Sequence, residues 1–226
     1  MKINDLGYLR KKEDSLHDFD SDKYSFKMKV APWEMNGSNE IYQMTWKKDT
    51  LLDYHYHTLG TEVFFMRTGK MDFYLAGTRY TARPDDMIVV PPYMPHSIKS
   101  LDQETTFISY FVDVKYYQIE FDFREIHKVN PSWTKDPAFM TALRAKSDRH
   151  ECPLPSVLSD TVLPQVRKKD TSLQTFVSND VMYHLKVAPW EMGSMNEVWY
   201  MEWKEGMEVN KHLHHGAWEN FLEVWA

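Results

Sequence analysis

A chain of 226 residues with a single cysteine, Cys152, can close no intrachain disulfide. It also lacks an apolar signal region behind Met1 and any apolar run long enough to cross a bilayer, so no secretory leader or membrane span is expected and a reducing cytoplasm fits best. Basic charge is short as well. Lys plus Arg number 27 against 33 Asp plus Glu, a net −6, and the longest basic runs, Arg10-Lys11-Lys12 and Arg167-Lys168-Lys169, are followed by acids. Nucleic-acid partners are thereby disfavoured, and those runs read as solvated surface. What the chain does hold is 42% apolar residues, which excludes disorder as the main reading, and a length that fits one large domain or two small ones.

The chain repeats itself. Lys29-Val30-Ala31-Pro32-Trp33-Glu34-Met35 returns as Lys186-Val187-Ala188-Pro189-Trp190-Glu191-Met192, an offset of 186 − 29 = 157 residues. At the same offset and without a gap, residues 9–19 lie over 166–176, Asn39-Glu40 over Asn196-Glu197, and Trp46-Lys47 over Trp203-Lys204. A register kept that long is duplication, so the chain reads as one unit followed by the opening part of a second. Ala226 overlies Gly69, and copy two therefore has no counterpart of residues 70–159. The expected organisation is a first barrel with an N-terminal arm over 1–114, a connecting segment over 115–159 with one helix near 137–146, and a partial second repeat over 160–226.

Residues 26–114 read as short strands. Glu40 to Trp46 alternates polar with apolar or aromatic, the period of a half-buried strand. The run Val63–Met66, the turn Thr68-Gly69-Lys70 and the alternation Met71, Phe73, Leu75 out to Ala76-Gly77-Thr78 predict a hairpin. Met87–Val90 is stopped by Pro91-Pro92, and Thr105–Val114 adds another strand. Six or more such strands with turns every 8 to 12 residues indicate an all-β sandwich or barrel.

The chemistry is concentrated in His55-Tyr56-His57, Glu62 and His96. Residues i and i+2 of a strand share a face, so His55 and His57 point together. Glu62 opens the next strand and His96 a later one, which lets all four side chains converge. Three imidazoles and a carboxylate suit divalent Fe, Mn, Ni, Cu or Zn and leave positions open for water or substrate. A lone histidine is more often a solvated or core residue. Here His212, His214 and Glu219 repeat the spacing at the 157 offset while the residues between them change, and that favours ligands. Copy two would hold only those three, making it the weaker site. Trp33 and Trp190 lie away from the histidines and read as structural.

At these residues the sequence resembles the cupin superfamily, whose motifs are G-x5-H-x-H-x3,4-E-x6-G and P-x-G-x2-H-x3-N. Copy two opens the first motif with Gly206, whereas copy one has Asp49 there; Tyr93 and Ser100 replace Gly and Asn of the second, and Asp85 stands where many cupins have Gly. The resemblance, over roughly 26–114 and 183–226, implies a double-stranded β-helix (jelly-roll) barrel with a metal on His55, His57, Glu62 and His96, and two such units look like a bicupin.

Strand parity from Glu62 places Phe64 and Met66 inside, together with Tyr42, Met44, Trp46, Met71, Phe73, Ile98, Phe107, Ser109 and Phe111. Most are packing residues; the remainder would line an apolar pocket for a small organic substrate. Arg79 and Arg83 could offer a partner to a substrate carboxylate, although on a barrel edge arginine is more often solvated surface. The resemblance leaves the reaction open among dioxygenase, decarboxylase, isomerase and aminohydrolase chemistry, with dioxygenase-type oxidation preferred, and a non-catalytic small-molecule-binding barrel is the other class. Open strand edges and the wealth of aromatic residues and Met point to a homodimer or higher homo-oligomer.

Overall fold

The computed structural model describes residues 9–35, 37, 39–152, 165–178, 180–192, 196–208 and 219. Ten strands come first: β1 (Asp18–Asp20), β2 (Tyr24–Val30), β3 (Asn39–Lys47), β4 (Leu51–Tyr56), β5 (Thr61–Thr68), β6 (Met71–Leu75), β7 (Thr78–Ala82), β8 (Met87–Val90), β9 (His96–Ser100) and β10 (Glu104–Val112). Then follow α1 (Tyr116–Val129), α2 (Pro137–Ala145), β11 (His150–Glu151), β12 (Gln165–Arg167), β13 (Gln174–Ser178), β14 (Val181–Val187), α3 (Pro189–Met192) and β15 (Val198–Glu202). Two antiparallel sheets, ordered β1-β2-β3-β10-β5-β8-β12 and β11-β4-β9-β6-β7, face each other across one core. This is a jelly-roll barrel with a small helical segment.

Parity explains the core. Every position assigned to the inner face, from Tyr42 through Phe111, is buried, and Phe64 meets Phe73 and Phe107 ring to ring at 5.2 and 6.0 Å. Burying such a ring is worth roughly 2–3 kcal/mol over leaving it in water. The hairpin, however, does not form across Gly69. β5 pairs with β10 and β8, while β6 pairs with β7 and β9, so the turn at 68–70 carries the chain from one sheet to the other. Gly69 makes that corner at φ +73, where an added Cβ would lie 2.8 Å from the Glu104 carbonyl oxygen. The actual hairpin joins β6 to β7 through Ala76 (φ 46) and Gly77 (φ 82), the paired positive φ values of a type I′ turn.

Two helices, not one, occupy the segment after β10. α2 starts where expected, with Pro137 in its first turn and the Asp136 carboxylate accepting from the Ala138 and Phe139 amides. α1 went unseen because residues 117–123 alternate apolar with polar like a strand. Tertiary contacts override that pattern: Tyr116 stacks on Phe111 at 4.9 Å, and the Arg124 guanidinium lies 4.7 Å from the Phe19 ring centre.

The duplication is structural down to single bonds. β13-β14-β15 reproduces β1-β2-β3 in the same register: Asp18↔Lys27 returns as Thr175↔His184, and Phe26↔Met44 as Tyr183↔Met201. Even the irregularity between Met28 and Val30 recurs between Leu185 and Val187. The Arg10–Glu34 ion pair returns as Arg167–Glu191. Lys29 Nζ donates to the carbonyls of Lys11, Lys12 and Asp14, and Lys186 Nζ to those of Lys168, Lys169 and Thr171. Trp33 and Trp190 are largely exposed, and the glutamates and lysines of the motif make these contacts. The copies also touch: β12 extends the first barrel, Lys168 and Lys169 pair with Asp86 and Asp85, and Asn39 Nδ2 donates to Asn196 Oδ1 at 3.0 Å.

Candidate metal centre

β4 delivers His55 directly opposite His96 of β9, with ring centres 4.1 Å apart. His57 follows at the strand's end, and after a four-residue bend Glu62 enters β5 across from Val90 and Phe111. The bend depends on Gly60. A Cβ there would stand 2.2 Å from the Val114 side chain and 3.0 Å from the Val112 carbonyl oxygen, so only glycine lets the chain turn back against β10. His55, His57, Glu62 and His96 are all buried, and one potential ligand atom from each lies within 4.8 Å of the others. Of the copy-two residues, His212 and His214 fall outside the described residues, and Glu219 is exposed.

The imidazoles are oriented alike. Nδ1 of His55, His57 and His96 faces the carbonyl oxygens of Asp53 (2.9 Å), Asp148 (2.7 Å) and Met94 (2.9 Å). A carbonyl only accepts, so each Nδ1 carries the proton and each Nε2 lone pair turns inward. His96 Nε2 and Glu62 Oε2 then stand 2.7 Å apart with no hydrogen-bond donor satisfying either, and His57 Nε2 is likewise unsatisfied. Two lone-pair atoms at that distance repel unless a metal ion sits against both or a proton lies between them. Burial, reinforced by His96 and Arg149, pushes His55 well below its ordinary basicity, which keeps it neutral. The donor set fits a divalent transition metal ion; three neutral nitrogens and one carboxylate do not choose among Fe, Mn, Ni, Cu and Zn.

Three residues that sequence reasoning passed over support this centre. Asp148 has φ +61 and holds His57 through its carbonyl, while its carboxylate accepts from the amides of Thr58, Leu59 and Gly60 at 2.8 to 3.1 Å. One residue thus fixes both a ligand and the bend after it. Burial raises the Asp148 carboxyl, and the Thr58 hydroxyl and three amides lower it further than that. Glu40 pairs with Phe111 on the strand flank opposite Glu62, so all three share the inner face. It accepts from Tyr42 Oη (2.7 Å) and Tyr117 N (2.8 Å), and burial pushes its carboxyl up to about 7. Its recurrence as Glu197 was the one visible signal. Arg149, the third, precedes β11. Arg79 and Arg83 do not reach the site: Arg79 pairs with Asp72 with its side chain 59% exposed, and Arg83 is exposed.

The glycine replacements leave the backbone as glycine would have it. Asp49 (φ 61), Asp85 (φ 68) and Tyr93 (φ 63) all adopt the left-handed region, as Gly206 does in copy two (φ 80). Tyr93 N also donates to the His57 carbonyl at 2.6 Å, tying the second motif to the first. A cleft beside α1, lined by Phe26, Tyr42, Tyr117, Phe121 and Arg124, contains none of the four ligand residues.

A family model described as a cupin domain matches residues 43–112. No curated protein sequence matches the chain significantly. Similar solved structures include KdgF from Halomonas sp. (16% identity, 43% of this chain and 86% of that one, TM-score 0.39). Another is a predicted oxalate decarboxylase from Thermotoga maritima (13%, 47% and 98%, TM-score 0.43). A third is the Streptomyces nucleoside dehydratase Pac13 (16%, 47% and 82%, TM-score 0.38). Among the described residues no helix is long and apolar enough to cross a membrane.

Proposed function

With residues 43–112 established as a cupin domain, we propose that this chain is a metal-dependent cupin enzyme acting on a small organic molecule, with dioxygenase-type oxidation as its leading chemistry. The observation that carries the reading is the 2.7 Å approach of His96 Nε2 and Glu62 Oε2, both buried and without a donor. A bound divalent ion supplies a Lewis-acidic centre, and iron or copper adds redox chemistry towards dioxygen. The chain does the rest. Met94 and Asp148 hold the imidazoles in the ligating tautomer, Glu62 provides the one negative charge, and Phe64, Phe73 and Phe107 keep water from the inner side.

Elemental analysis of protein purified without added metal tests this. About one transition metal ion per chain is expected, lost in His57→Ala and His96→Ala with the fold retained. Unchanged stoichiometry in His57→Ala sinks the metal reading. Oxygen uptake by an iron or copper form supports oxidation, whereas zinc or nickel without uptake moves the chemistry to isomerase, decarboxylase or aminohydrolase type.

A further inference from the structure

The segment between the two copies brings one guanidinium to the metal centre. β11 pairs with β4 so that Glu151 stands opposite His55 and His150 opposite Tyr56. Directly paired residues share a face, so Glu151 lies on the ligand side, while His150 stacks on the outward ring of Tyr56 at 5.1 Å. Arg149 follows Glu151 to that side, because its Nε donates to Glu151 Oε1 at 3.3 Å. Its side chain is only 13% exposed.

Two properties make this a binding group instead of a structural ion pair. Among the described residues Arg149 pairs through Nε alone, which leaves Nη1 and Nη2, the two outer donors of the fork, uncommitted. The local charge is also unbalanced, since Arg144 Nη1 takes the same Glu151 oxygen at 2.8 Å and two guanidinium groups share one carboxylate. Two further acids are in electrostatic range: Glu62, which a bound metal ion would engage, and Glu120, which its own burial discourages from ionising.

We propose that Arg149 anchors a carboxylate on the small molecule that reaches His55, His57, Glu62 and His96, so that the substrate is an organic acid with a second oxygen-bearing group. The inference rests on the metal reading above. A planar fork with two free donors matches a carboxylate bidentately, and in a partly desolvated site such a pair sets orientation as well as affinity. The chain order serves this arrangement. Asp148 fixes His57 and the bend before Glu62, and its neighbour Arg149 is placed by the same backbone.

Cobalt(II)-loaded parent, Arg149→Gln and Arg149→Lys are titrated with glycolate and its neutral analogue glycolamide, by calorimetry and by the visible bands of cobalt. The parent should prefer glycolate, and Arg149→Gln should lose about tenfold or more of glycolate affinity with cobalt content and glycolamide binding unchanged. Arg149→Lys should fall between the two, and it decides the matter if the Gln variant does not fold. Glycolate affinity unchanged in Arg149→Gln overturns the proposal, as does a parent that binds glycolamide as well as glycolate. A parent that takes up no cobalt breaks the metal reading alone, because calorimetry on the metal-free protein still reports whether glycolate depends on Arg149.

Discussion

Glu40 is a carboxyl built into the barrel wall, 2% exposed and satisfied by a phenol and an amide. Its pKa is raised from 4.5 to about 7, chiefly by burial. The folded state therefore binds this proton more tightly than the unfolded one. Stability from this residue is present below about pH 4.5 and falls as pH rises towards 7, by on the order of 3 kcal/mol, then levels off. Glu40→Gln keeps both hydrogen bonds through its carbonyl oxygen and removes the titration. Urea denaturation at pH 5 and pH 8 should show the variant losing much less stability than the parent over that interval. Equal losses would mean that Glu40 ionises in the fold as it does in water.

The repeated lysine clamp shows what an element owes to one side chain. Lys186 is buried, and its Nζ serves the carbonyls of Lys169 and Thr171 at 2.7 and 2.6 Å, fastening the loop before β13 onto β14. Lys186→Met retains the stem and orphans the carbonyls, at a cost on the order of 1–3 kcal/mol. Amide exchange at 168–173 should accelerate in that variant; unchanged exchange there would show the loop to be held otherwise. The strands of the first barrel and the meeting of His55 with His96 were legible because a period of two leaves a mark in sequence. α1 was hidden because its aromatic residues follow the strand period and only contact with Phe111 and Phe19 makes it helical. Asp148 and Arg149 left no pattern either: they lie some 90 residues from His55 and His57, in a segment that reads as a connector, and only the pairing of β11 with β4 brings them in.

At the scale of the whole molecule, the second copy repeats the first up to β15. β3 is flanked by both β2 and β10, whereas among the described residues β15 pairs with β14 alone. Phe176, Val177 and Met182 are exposed on that sheet, and Trp203 just after it. Exposed apolar side chains grouped on one sheet favour association. Light scattering at micromolar concentration should give at least twice the 26.9 kDa chain mass, and a monomer would refute this. The bond between Asn39 and Asn196 bears on the same question from inside the chain. Repeats stacked by translation hold their counterparts a full repeat apart, and counterparts 3.0 Å apart do not fit that arrangement. Substituting Asn196 also removes the bond that its Oδ1 accepts from Tyr110 Oη, so it should weaken the contact between the copies more than substituting Asn39 does.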